Sequence, residues 1–140
     1  YLPINAQQYF IYFIEFIDSV VRRATNGLER YNAIRGYTSD SFGMLCNVLT
    51  LYLSSKELHK ANILFNVMKS THLTENLVKE RLYLTFYQGI VELIIQKDMT
   101  GKNKINNSLN ICDYLNLVES KKSMTKLFSF LCQLYEIPAQ

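Results

Sequence analysis

Two prolines and five glycines are all that this chain of 140 residues has to interrupt a helix. So few breakers leave long periodic segments intact, which points to an all-helical domain. Cysteine is scarce as well. Cys46, Cys112 and Cys132 are odd in number, form no CxxC pair and sit in apolar stretches. That pattern speaks against disulfides or a thiolate metal site and for buried, reduced thiols in a cytosolic protein. Excess charge is also lacking. Fifteen Lys and Arg against twelve Asp and Glu leave a formal +3, scattered along the chain, too little to imply nucleic acid. The most apolar segment, residues 9–21, is interrupted by Glu15 and Asp18. It falls short of the ~20 apolar residues that cross a bilayer, and it lacks the layout of a signal peptide. No GxSxG, glycine-rich phosphate loop, HExxH or spaced Cys/His pair occurs, so an enzyme is not expected. His59 and His72 have no partner at ligand spacing, so neither metal nor cofactor is expected.

With 49% hydrophobic and 19% charged residues the chain is globular in composition. Its length suits one domain over residues 1–140, and a start at Tyr1 suggests a piece of something longer. The periodicity predicts about seven helices, near residues 5–25, 28–35, 39–53, 54–69, 75–97, 101–115 and 119–135. Ser54 and Glu57 fit a capping box for the fourth of these, Thr74 a cap for the fifth, and Asp98-Met99-Thr100-Gly101 a turn into the sixth.

Two segments are apolar almost all the way round. From Asp40 to Ser54 the polar or small positions are Asp40, Gly43, Asn47, Thr50 and Ser54; from Arg81 to Gln96 they are Arg81, Thr85, Gln88, Glu92 and Gln96. Steps of three and four keep each line on one helical face. An ordinary surface helix shows the reverse proportions. A helix with one polar line has neighbours on most sides and one side open, as the inner helix of a stacked array does. Inner helix, joint and outer helix occur twice, at 39–69 and 75–115. The outer helices share a spacing, Ala61-x3-Phe65-x2-Met68 and Gly101-x3-Ile105-x2-Ser108. A small residue first and a large one four later suit close helix packing. The expected fold is therefore a right-handed stack of helical hairpins, a tetratricopeptide-like α-solenoid whose open face lines a groove.

The segments MLCNVLTLYL (44–53), KELHKANIL (56–64), TFYQGIVELI (85–94), GKNKINNSLNICDYLNL (101–117) and LERYN (28–32) together resemble the C-terminal regulatory region of Rgg/GadR/MutR transcriptional regulators. The likeness runs from about residue 9 to 131 as a spaced pattern, without a single diagnostic motif. It implies tetratricopeptide-like hairpins that bind a short secreted peptide (a pheromone of quorum sensing) and couple it to transcription. An N-terminal helix-turn-helix domain would contact DNA; no such segment is present in this chain, and fewer hairpins are present than in the family's full regulatory region. Asn47 falls where the family pattern usually has Asn.

An extended peptide presents unpaired amides, and Asn and Gln carry both a donor and an acceptor to meet them. The candidate peptide contacts are Asn47, Thr50, Arg81, Thr85, Gln88 and Glu92, with Tyr12 and Glu15 on the first helix. Arg81 could clamp a carboxylate and Glu92 or Asp40 an amine; the plainer alternative is that the lines face water or bond to each other across helices. In the last helix Met124, Phe128, Leu131 and Tyr135 form an apolar edge, for a homodimer contact or for capping the preceding helix. Lys97, Lys102, Lys104, Lys121, Lys122 and Lys126 read as a solvated face. The expected protein is a cytoplasmic regulatory domain with a peptide effector. Its rivals are a bundle enclosing a small molecule and a helical interaction domain unrelated to transcription.

Overall fold

The computed structural model describes Glu15 and residues 39–70 and 78–138. Among these residues there are five helices and no strand: α1 (Ser39–Ser54), α2 (Leu58–Ser70), α3 (Val78–Ile94), α4 (Gly101–Tyr114) and α5 (Val118–Leu134). They correspond to the last five of the seven expected segments. The first two, at 5–25 and 28–35, lie outside the described residues except for Glu15, which is helical and exposed. The onset of α3, with Thr74, lies outside them too. The chain divides into two compact units, Tyr1–His72 and Leu73–Gln140.

In the first unit α1 buries Leu45, Cys46, Val48, Leu49, Tyr52 and Leu53, and α2 buries Ala61, Leu64, Phe65, Val67 and Met68. The small–large spacing of α2 thus lies wholly inside, with Ala61 at 0% exposure. The rest of α2 up to Lys69 is half-buried or exposed, with His59 and Lys69 open to solvent. The joint is three residues long, and it corrects the expected capping box. Ser54 is the last residue of α1 and not the cap of α2. The stop is a left-handed Lys56 (φ 60°), with Glu57 N–H donating to Tyr52 O at 2.9 Å and Lys56 N–H to Leu53 O at 3.3 Å. These two bonds make a Schellman motif, which satisfies carbonyls that the helix end would leave without partners. Glu57 then opens α2 by accepting the Ala61 N–H at 3.0 Å.

In the second unit the same stop recurs. Asn116 (φ 57°) ends α4 through Leu117 N–H to Cys112 O at 2.8 Å, and Glu136 (φ 56°) ends α5 through Ile137 N–H to Cys132 O at 2.8 Å. Lys97 (φ 58°) follows α3. The turn into α4 forms as expected. Asp98 Oδ1 accepts from Thr100 N at 3.0 Å and from its hydroxyl at 2.7 Å, and Asp98 O accepts from Gly101 N at 3.1 Å. Asp98 thereby braces the turn that leads to Thr100, the N-cap of α4, which makes no side-chain capping bond of its own. The Thr100 hydroxyl bond first, and its backbone bond second, hold the Asp98 carboxyl below the usual carboxylate range.

Helix α3 is the most buried helix of this unit, and α4 packs on both α3 and α5. Leu82, Phe86, Tyr87 and every residue from Gly89 to Ile94 are buried. Helix α4 is the contrast: it buries only Gly101, Ile105, Ser108 and Cys112, one stripe at steps of four and three. That stripe contains the whole Gly101-x3-Ile105-x2-Ser108 spacing, and the buried Ser108 hydroxyl donates to Lys104 O at 2.9 Å. Helix α5 buries Ser120, Met124, Leu131 and Cys132. It packs on α4, where Cys112 Sγ lies 3.9 Å from Met124 Sδ. Lys102 on α4 donates to the carbonyl of Pro138 at 2.6 Å, fastening the segment after α5 to the start of α4.

Candidate functional site

The polar line of α1 opens to solvent. Gly43 and Asn47 are exposed, and Thr50 and Ser54 half-buried. Leu51, 42% exposed, extends the same open face by one turn beyond Asn47. This face follows from the residues around it, since Leu45, Val48, Leu49 and Tyr52 occupy the other sides and are buried. The side chain of Asp40 lies outside the described residues.

The polar line of α3 divides in two. Its first half is open: Arg81 and Thr85 are exposed, and the Thr85 hydroxyl donates back to Arg81 O at 3.1 Å. Its second half is covered. Glu92 is only 8% exposed, and its Oε2 accepts from Gln88 Nε2 at 2.8 Å and from Lys104 Nζ on α4. Gln88, half-buried, stands at the boundary. A carboxylate removed from water needs such donors, and charge-assisted bonds are the strong kind. Gln96 is exposed in the turn after α3.

The structure therefore brings Gln88 and Glu92 together by bonding them, and it leaves Arg81 and Thr85 beside them on the same helix. Asn47 and Thr50 belong to the other unit. Tyr12 lies outside the described residues. On α5, Met124 and Leu131 are each 1% exposed within the chain itself, whereas Phe128 and Tyr135 are half-buried. Burial pushes the Tyr135 hydroxyl above its ordinary pKa.

Lys104, read from the sequence as part of a solvated face, keeps 44% of its side chain exposed and also donates to the buried Glu92 carboxylate. Its partner lies twelve positions back across a turn, beyond any helical spacing rule. Three of the other lysines in that group are also engaged. Lys102 holds Pro138 O, Lys121 bridges both Asp113 oxygens at 2.8 Å and Lys122 lies 3.7 Å from Glu119. Three of the six lysines thus face a carboxylate and Lys102 a neutral carbonyl, and exposed pairs of this kind add little stability. The shallow depression along the start of α5 is lined by these same groups, Asp113, Glu119, Lys121 and Lys122 among them.

All three cysteines are free and buried. Among the described residues no cluster of three or more His, Cys, Asp or Glu could hold a metal ion, and no helix is long and apolar enough to cross a membrane.

No curated protein and no solved structure matches the chain. The family model for the C-terminal domain of the HTH-type transcriptional regulator Rgg matches residues 5–126, which takes in α1 to α4 and the first half of α5. The chain belongs to the Rgg family of transcriptional regulators and corresponds to their C-terminal domain.

Proposed function

We propose that this domain senses a short peptide effector through the open part of the α3 polar line and passes the signal to an N-terminal DNA-binding domain. The observation that carries this reading is the α3 line. A helix whose Gly89–Ile94 segment is entirely buried still presents Arg81 and Thr85 to solvent. Arg81 suits a peptide carboxylate, with two parallel N–H bonds available from the guanidinium. Thr85 and Gln88 can meet main-chain groups of an extended ligand. In the other unit Asn47, exposed on α1 with Thr50 beside it, carries both a donor and an acceptor and is a candidate contact of that unit by itself.

The response is a population shift. A peptide that binds one arrangement of the helices better than another moves the distribution by no more than its differential affinity. The regulator acts in the cytoplasm as a homodimer. Because Met124 and Leu131 are buried within the chain, a partner subunit meets α5 through Phe128, Tyr135 and the 49% exposed Phe130.

The experiment is to pan the chain against displayed short peptides and to measure the hits on Asn47→Ala and Arg81→Ala. Weaker binding at unchanged melting temperature supports the reading. Peptides that bind both variants as tightly as the parent chain contradict it.

A further inference from the structure

We propose that Glu92 is a coupling residue, which ties the Gln88 carboxamide on the α3 line to the Lys104 ammonium on α4. Whatever engages Gln88 is then felt by α4. The inference rests on the peptide-binding reading only for the identity of the signal. It reassigns Glu92, from a group that touches a ligand amine to one that reports on its neighbour.

Both donors converge on one atom, Oε2 of Glu92. At 8% exposure the carboxylate has shed most of its water and depends on them. Gln88 belongs to the helix that carries Arg81 and Thr85, and Lys104 to the neighbouring helix. The two helices cannot drift to absorb a change in these bonds, because their backbones touch just beside them. The Gly101 carbonyl stands 2.6 Å from where a Cβ of Gly89 would be, and Glu92 Cβ is 3.1 Å from the equivalent point on Gly101. Interiors packed so closely transmit displacement instead of absorbing it. A ligand that draws the Gln88 carboxamide away removes the neutral donor. Glu92 then depends on Lys104 alone, and the first turns of α4 respond. By reciprocity, a change at Lys104 alters how Gln88 meets a ligand.

The test uses the full chain of 140 residues without any ligand. In a nitrogen-15 spectrum, Gln88→Ala is expected to shift the backbone amides of Lys104 and Ile105, and this effect is expected to vanish when the substitution is made in a Glu92→Leu background, which has no acceptor. Shifts confined to α3, or shifts that persist in that background, overturn the proposal. Gln88→Ala combined with Lys104→Ala is expected to lower the melting temperature by roughly 4 °C more than the two single losses added together, because only the pair strips the carboxylate of both donors. Additive losses overturn the coupling. Lys104→Gln keeps a donor without the charge, and in its place the extra loss should shrink without disappearing. Peptide binding enters none of these readouts, so a failure here leaves the peptide reading standing, and a failure to find a peptide leaves the coupling standing.

Discussion

The carbonyl oxygen of Gly101 lies 2.6 Å from the point that a Cβ on Gly89 would occupy, and the Gly89 carbonyl lies nearer still to the corresponding point on Gly101. The two glycines let α3 and α4 meet backbone to backbone. Ile105, whose Cγ1 is 2.8 Å from the same point beside Gly89, closes the contact from the next turn of α4.

Alanine at either position would therefore press its Cβ against the main chain of the facing helix. Gly89→Ala and Gly101→Ala are each expected to lower unfolding stability by about 1–3 kcal/mol, the usual range for overpacking. Gly43 is the control. An added Cβ there meets nothing within 4 Å. Gly43→Ala should raise stability by about 0.5–1 kcal/mol through helix propensity alone. Urea denaturation of the three variants checks both signs.

The helix stops yield a second expectation. Lys97 and Asn116 both hold a left-handed backbone, at φ 58° and 57°. Asn tolerates that conformation at lower cost than Lys does. Lys97→Gly should stabilise the chain by up to about 1 kcal/mol, and Asn116→Gly by clearly less. Denaturation midpoints of the two variants, compared with the parent chain, decide it. Equal gains would mean that the left-handed cost is not what separates these sites.

These stops show why some of the fold was legible in the sequence and some was not. The periodic apolar spacing placed five helices within a few residues, and the Gly101-x3-Ile105-x2-Ser108 pattern marked the buried stripe of α4. Gly101 was readable because a close helix approach requires a small side chain. The stop after α1 was not readable in the same way. Ser54 and Glu57 match a capping box by spacing, yet the chain turns at Lys56, a residue type with no turn preference to announce it. Of the candidate site, the exposure of Asn47 follows from its place opposite a buried apolar set. Glu92 shared its polar line with Arg81 and Thr85 and gave no sign of burial. Its charged partner is Lys104, supplied by a different helix, and the turn at 95–100 brings that lysine into reach.

The thiols provide a pH-dependent expectation. Burial pushes the Cys112 and Cys132 thiols up, with Asp113 adding to the effect at Cys112; Lys121 and Lys102 respectively oppose it. A raised thiol pKa means that the folded chain holds the proton more tightly than the unfolded chain. The resulting stabilisation is complete below the ordinary thiol value, about 8.5, and is lost as pH rises from there through the folded value. Stability should therefore decline above about pH 8.5, and less so in Cys112→Ser or Cys132→Ser after allowance for the packing each loses. Labelling with an aromatic disulfide at pH 8 should be slow in the native chain and immediate in urea. Rapid labelling of Cys112 or Cys132 in the native chain would contradict their burial.

The most direct measurement is a titration of the chain with a panned short peptide that keeps a free carboxyl terminus, run side by side on the parent, Asn47→Ala, Arg81→Ala and Arg81→Lys. Arg81→Ala should bind about tenfold more weakly or worse, equivalent to ~1.4 kcal/mol, with its melting temperature unchanged because the side chain is exposed; Asn47→Ala, whose side chain is exposed in the other unit, tests the α1 line by itself. Arg81→Lys should recover only part of the loss, since an ammonium cannot pair two carboxylate oxygens in parallel. Affinities equal to the parent's in all three variants would place the ligand elsewhere and remove the polar lines from the account.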